Sequence, residues 1–120
     1  MGLFDRMNEK ADAKMLEYVK TILLPNEEVK EFMRTVNDFI AITDRRLILG
    51  DHDFDWGDSK NAIFTVPIKN VTSVSITNPL FDLVKKYKVG VHVGSLTIKI
   101  TFYKDEDAKR CWMLINSLIC

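Results

Sequence analysis

The sequence predicts a mainly β (α+β) domain, seven short antiparallel strands framed by a helix at each end. Three observations carry this. Runs of β-formers broken by turn residues fill positions 29 to 103. Apolar residues before and after that stretch recur at helical spacing instead. A chain of 120 residues suits one ordinary domain and is short for two.

From Asp5 to Leu23, Met7, Ala11, Met15, Tyr18 and Ile22 fall on one helical stripe, while Glu9, Asp12, Glu17 and Lys20 fall mostly elsewhere. Pro25-Asn26 stops the helix. Such an element must pack on its own domain or on a neighbouring subunit, so residues 1–24 are read as an added amphipathic helix and 25–120 as the body. Strands are expected at Val29 to Val36, Asp38 to Ile42 and Arg46 to Gly50, with tight turns at 36–38 and 43–45. Asp51 to Asn61 is acidic and aperiodic, a loop. Strand character resumes at Ala62 to Val66 and Val71 to Ile76, then at Lys86 to Val93 and Ser95 to Tyr103 around Gly94. In the last of these Leu96, Ile98, Ile100 and Phe102 alternate with polar residues, as in a half-buried strand. Asp105 is the expected N-cap of the closing helix, Asp107 lies in its first turn, and Ala108, Cys111, Trp112, Ile115, Leu118 and Ile119 form its apolar stripe.

An apolar content of 47% supports a globular core and 28% charge keeps it soluble. Seventeen basic against seventeen acidic residues argue against a nucleic-acid footprint. The balance hides an asymmetry: residues 1–60 hold 9 basic and 13 acidic side chains, residues 61–120 hold 8 and 4. A chain divided −4 and +4 either docks on itself or a charged partner, or mixes its charges in space. Cys111 and Cys120, nine residues apart on one helix, stand about 13 Å apart, too far to bridge. A reduced, intracellular chain is expected, cytoplasmic in location. Met1 to Met7 lack a signal-peptide pattern, Arg6 stands where a myristoylation motif wants Ser or Thr, and no run reaches the 18 apolar residues of a membrane span.

Asn37 to Leu49, NDFIAITDRRLIL, resembles the hairpin of bacterial pleckstrin-homology (PH) domains, in which an aromatic-aliphatic strand ends in Thr-Asn/Asp-Lys/Arg-Arg-Leu-Ile. Val66 to Val71, VPIKNV, is similar to that family's Ile-Pro-Tyr-x-x-Ile segment. Leu24 to Val29, LPNEEV, is similar to its Leu-x-x-Gly-Glu opening, with Asn26 in place of glycine. The resemblance spans residues 20 to 119. It implies a PH-like barrel of seven antiparallel strands in two near-orthogonal sheets, capped at one end by the C-terminal helix, and a tendency to symmetric oligomers, often rings. In the hairpin, either Phe39 and Ala41 or Ile40 and Ile42 face inward, and Thr43 and Asp44 bond the turn backbone. For Arg45 and Arg46, turn stability and solubility outweigh anion binding.

Asp51, Asp53 and Asp55 match positions 1, 3 and 5 of a calcium loop, but Trp56 replaces the required glycine and Ala62 the required glutamate, and strands flank the segment. A solvated loop is the better reading, and no metal or cofactor is expected. Phe54 and Trp56 in that loop, with Leu3 and Phe4, are the candidate protein contacts. Lys85, Lys86 and Lys88 form the one basic cluster, a candidate for anionic headgroups. The loop after the first strand is too short for a phosphoinositide signature, so a solvated edge that discourages strand pairing is preferred. His52 and His92 sit in no catalytic spacing, Ser73, Ser75 and Ser95 lack a nucleophile elbow, and five scattered glycines make no phosphate loop, so no enzyme is expected. The preferred function is a non-catalytic protein-binding or self-assembling module. The alternatives are peripheral binding of anionic lipid and a small-molecule pocket at the open barrel end.

Overall fold

The computed structural model describes residues 13–36, 38–51, 62–77 and 87–120. Residues 13–21 are helical and form α1. It stops where the Thr21 hydroxyl donates to the Tyr18 carbonyl (2.6 Å) and the chain approaches Pro25, which disfavours helix in the residue before it. Asn26 then takes φ 65°, the left-handed region that a short amide side chain tolerates better than most residues other than glycine.

Seven strands follow, all antiparallel. One sheet orders β1 (Val29–Arg34), β2 (Asp38–Thr43), β3 (Arg46–Asp51) and β4 (Ala62–Pro67) side by side. The second orders β5 (Ser73–Ile76), β6 (Tyr87–Val93) and β7 (Leu96–Phe102). A short 3-10 turn at Ile68–Asn70 joins the sheets, and α2 (Asp105–Ile119) ends the chain. This is the expected mainly β architecture with a helix on either side. At one junction the Val36 N–H bonds the Thr101 carbonyl (2.8 Å), tying the end of β1 to β7. Gly94, with φ 62°, makes the two-residue β6–β7 turn possible.

The main core lies between the sheets. Met33, Ile40, Ile42 and Leu47 of the first meet Val89, Val91, Ile100 and Phe102 of the second. Ala108, Cys111 and Ile115 of α2 are buried in the same cluster, with Trp112, Leu118 and Ile119 packed on it. The Trp112 indole N–H also donates to the Val74 carbonyl (3.2 Å), which fastens α2 to β5. The cap of α2 falls one residue earlier than expected. Lys104 occupies it without a side-chain cap bond, and Asp105 is already helical, its carboxylate paired forward with Lys109 (2.9 Å). Asp105, Glu106 and Asp107 still place three carboxylates at the positive end of the helix dipole.

A second cluster forms on the opposite face of the first sheet, where Val19 of α1 meets Phe39, Ala41 and Ile48. The described part of the amphipathic helix, residues 13–21, therefore packs on its own domain. It also settles the facing of β2: Ile40 and Ile42 point into the core, Phe39 and Ala41 toward α1, and the strand is buried on both sides. Burying one side chain of the size of Val19 contributes about 1.5–3 kcal/mol. Among the described residues no helix is long and apolar enough to cross a membrane.

Candidate functional site

The hairpin that carries the sequence motif is a buried polar knot. The Thr43 hydroxyl accepts the N–H groups of Arg45 (3.1 Å) and Arg46 (2.9 Å), closing the β2–β3 turn, and donates to Glu27 Oε2 (2.6 Å). Arg46 sets its Nε on both Glu27 oxygens (2.9 and 3.2 Å) and a terminal nitrogen on Oε1 (3.0 Å) and on the Ile22 carbonyl (2.6 Å). The Leu24 N–H adds a further donor to Glu27 (2.9 Å). Burial works to raise the Glu27 pKa. Hydrogen bonds from Arg46, Thr43 and the Leu24 N–H, with the charge of Arg46, outweigh it and hold the carboxyl at about 2. Asp44 reaches past its own turn, accepting the Glu28 N–H (2.9 Å). Three segments, the end of α1, the start of β1 and the β2–β3 turn, are thereby fixed to one another.

Among the described residues two surfaces stand out. One is a groove of about 530 Å³ between β1 and α2. Met113, 64% exposed, and Leu114 supply its apolar lining, while Lys30, Glu31, Glu106, Lys109 and Arg110 ring it with both signs of charge. Arg110 spans it to Glu31 (3.7 Å). β1 is the outer strand of its sheet here, and a register shift between Val29 and Glu31 bulges the edge. The other surface is the outward face of the second sheet, where Lys88 and Lys99 stand among hydroxyl side chains. Its described strands contain no Asp or Glu.

A family model described as Bacterial PH domain matches residues 1–119. The chain belongs to the bacterial PH domain family. Uncharacterized protein YjqA of Bacillus subtilis (strain 168) is 32% identical over 108 residues, covering 88% of this chain and 86% of YjqA. The pleckstrin homology domain of Shewanella amazonensis SB2B superposes with a TM-score of 0.69 at 19% identity, covering 90% of this chain and 97% of the other. A DUF1696 family protein with a pleckstrin-homology domain from Shewanella loihica PV-4 gives 0.69 at 18% identity, covering 91% and 93%. At such identities the two crystal structures share the fold with this PH domain.

The residues singled out in the sequence are scattered across the PH domain. Leu3, Phe4, Phe54, Trp56, Lys85 and Lys86 lie outside the described residues, as do Asp53 and Asp55. Asp51 ends β3, its backbone paired with Asp38 and Ala62. Among the described residues no group of three His, Cys, Asp or Glu side chains is placed to hold a metal ion. Arg46 is engaged with Glu27 and Ile22, whereas Arg45 is exposed at the turn. Lys88 sits on β6, the central strand of its sheet, so it guards no edge. His92 holds Ser75 Oγ through Nε2 (3.1 Å) and Thr97 Oγ1 through Nδ1 (3.0 Å), which leaves both ring nitrogens occupied. Burial, with Glu31 nearby, pushes the Cys111 thiol up to about 12, far from a reactive thiolate. Sequence reasoning missed the groove, because Met113 lies off the apolar stripe that identified α2. It also missed Lys99, whose partner Lys88 becomes a neighbour only through strand register.

Proposed function

We propose that this bacterial PH domain is a non-catalytic module that binds protein, a second copy of itself first, through the groove between β1 and α2. The observation that carries the reading is Met113, exposed beside Leu114 in an open groove that runs along a strand edge. Exposed apolar anchors rimmed by charge mark contact surfaces. The rim carries both signs of charge, so a second copy across a two-fold axis can exchange the partners of Lys30, Lys109 and Arg110, which within one chain pair with Glu28, Asp105 and Glu31. The tendency to symmetric assemblies implied by the hairpin resemblance supports the same reading. The buried Cys111 thiol, held protonated, offers no ready nucleophile.

Size exclusion with light scattering tests it. The expected mass is a multiple of 13.9 kDa, falling to the monomer in Met113→Glu. A 13.9 kDa monomer at about 100 μM, where any dimer of micromolar Kd would be largely formed, sinks self-association through this groove.

A further inference from the structure

Methionine is an apolar side chain that a single oxygen atom makes polar. Met15, Met33 and Met113 lie among the described residues, and they differ in access. Met33 is 3% exposed and sits in the main core. Met15 is half-buried, packed on the cluster between α1 and the first sheet. Met113 is 64% exposed and lines the β1–α2 groove beside Leu114. An oxidant dissolved in water therefore meets Met113 first of the three.

Met113 is also set apart within its helix. The buried residues of α2 are Ala108, Cys111 and Ile115, and Met113 falls off their stripe. A helical side chain leans back over the residues three and four positions before it. For Met113 these are Arg110 and Lys109, both in the groove rim. Arg110 faces Glu31 (3.7 Å) and Asp107 (3.1 Å), and Lys109 faces Asp105 (2.9 Å). Guanidinium and ammonium groups keep further N–H donors beyond such pairs. The thioether sulfur is a weak acceptor for them, whereas a sulfoxide oxygen is a strong one. Oxidation would thus draw the side chain toward its charged neighbours. It would also place a polar group where a contact must strip away water.

We propose that Met113 is a reversible oxidation site that switches self-association through the β1–α2 groove. The proposal rests on the reading of that groove as the self-contact. A hydroperoxide transfers one oxygen atom to the thioether sulfur. Its O–O bond breaks, an S–O bond forms, and the remainder leaves as water or an alcohol. Sulfur gives up the two electrons that the peroxide gains. A thiol-dependent methionine sulfoxide reductase reverses the step and returns the oxygen as water. The self-contact covers Met113, so the oxygen reaches the free chain and then keeps it free. In a two-fold pair both copies bury Met113, and a loss of about tenfold for each becomes about hundredfold for the pair.

The test uses the full chain with Cys120→Ser, which removes the exposed thiol. Hydrogen peroxide is added, and peptide masses locate the added oxygen. Met113 is expected to gain it before Met15 and Met33, and more slowly as rising protein concentration assembles the chain. Light scattering at about ten times the Kd of the untreated protein should show the mass fall toward 13.9 kDa. Reductase with dithiothreitol restores the assembled mass. Met113→Leu, compared with its own untreated mass, is unchanged by peroxide. Oxidation of Met15 or Met33 ahead of Met113, an assembled mass that persists in the Met113 sulfoxide, or a Met113→Leu protein that peroxide dissociates overturns the proposal. A monomer before any peroxide overturns the groove reading and the switch together. Dissociation in Met113→Glu but not in the sulfoxide overturns the switch alone.

Discussion

Replacing Glu27 by glutamine tests the polar knot and the reading of the hairpin built on it. The Glu27 side chain has no exposed surface, and its Arg46 partner retains 16%. The carboxyl is lowered from 4.5 to about 2, and 1.36 kcal/mol per unit makes this worth about 3 kcal/mol. A pKa lowered on folding stabilises at pH above the unfolded value. The contribution is therefore full above about pH 4.5 and is lost as pH falls toward 2. Glutamine keeps the shape but not the charge, and leaves a largely buried guanidinium uncompensated, so the loss at pH 7 is about 3 kcal/mol. Against a typical domain stability of about 5–15 kcal/mol that is a large share. Urea denaturation of both proteins from pH 7 to pH 2 reads it. The difference between wild type and Glu27→Gln is about 3 kcal/mol at pH 7 and shrinks as the wild-type carboxyl protonates. Equal stability at pH 7, or a difference that does not shrink with acid, refutes the reasoning.

Three further outcomes are expected. Val19→Ala removes buried methyls between α1 and the first sheet and costs about 1–3 kcal/mol in urea denaturation, whereas a neutral result would mean α1 contributes no packing there. Asn26→Gly is neutral or stabilising and Asn26→Ala costs about 1 kcal/mol, since only the alanine is penalised at φ 65°. A thiol reagent added to the native protein modifies Cys120 rapidly and Cys111 only after denaturant, so one of the two thiols reacts first, as counted by mass.

How far the sequence reaches depends on whether a feature is local. The strand from Leu96 to Phe102 and the stripe on α2 were legible because alternation and helical period are written in neighbouring residues. The Asp105 cap was misplaced by one position, because helix ends turn on a single hydrogen bond. The Thr43-Asp44-Arg45-Arg46 turn was legible as a motif, and Arg46 as a turn residue before an anion ligand, but its ion pair was not. Its partner Glu27 stands on the far side of β1 in the chain, and only folding brings the two together.

The sequence by itself determined a mainly β domain of seven antiparallel strands between two helices, and its family, because those rest on local period and on contiguous motifs. Tertiary structure decided that α1 covers the first sheet and that Ile40 and Ile42 face the core while Phe39 and Ala41 face the helix. It also exposed Met113 beside a strand edge and set Lys88 and Lys99 on one face of the second sheet. Each of these depends on which distant strand or helix packs on a residue, and that is fixed by burial and register rather than by neighbours in the chain.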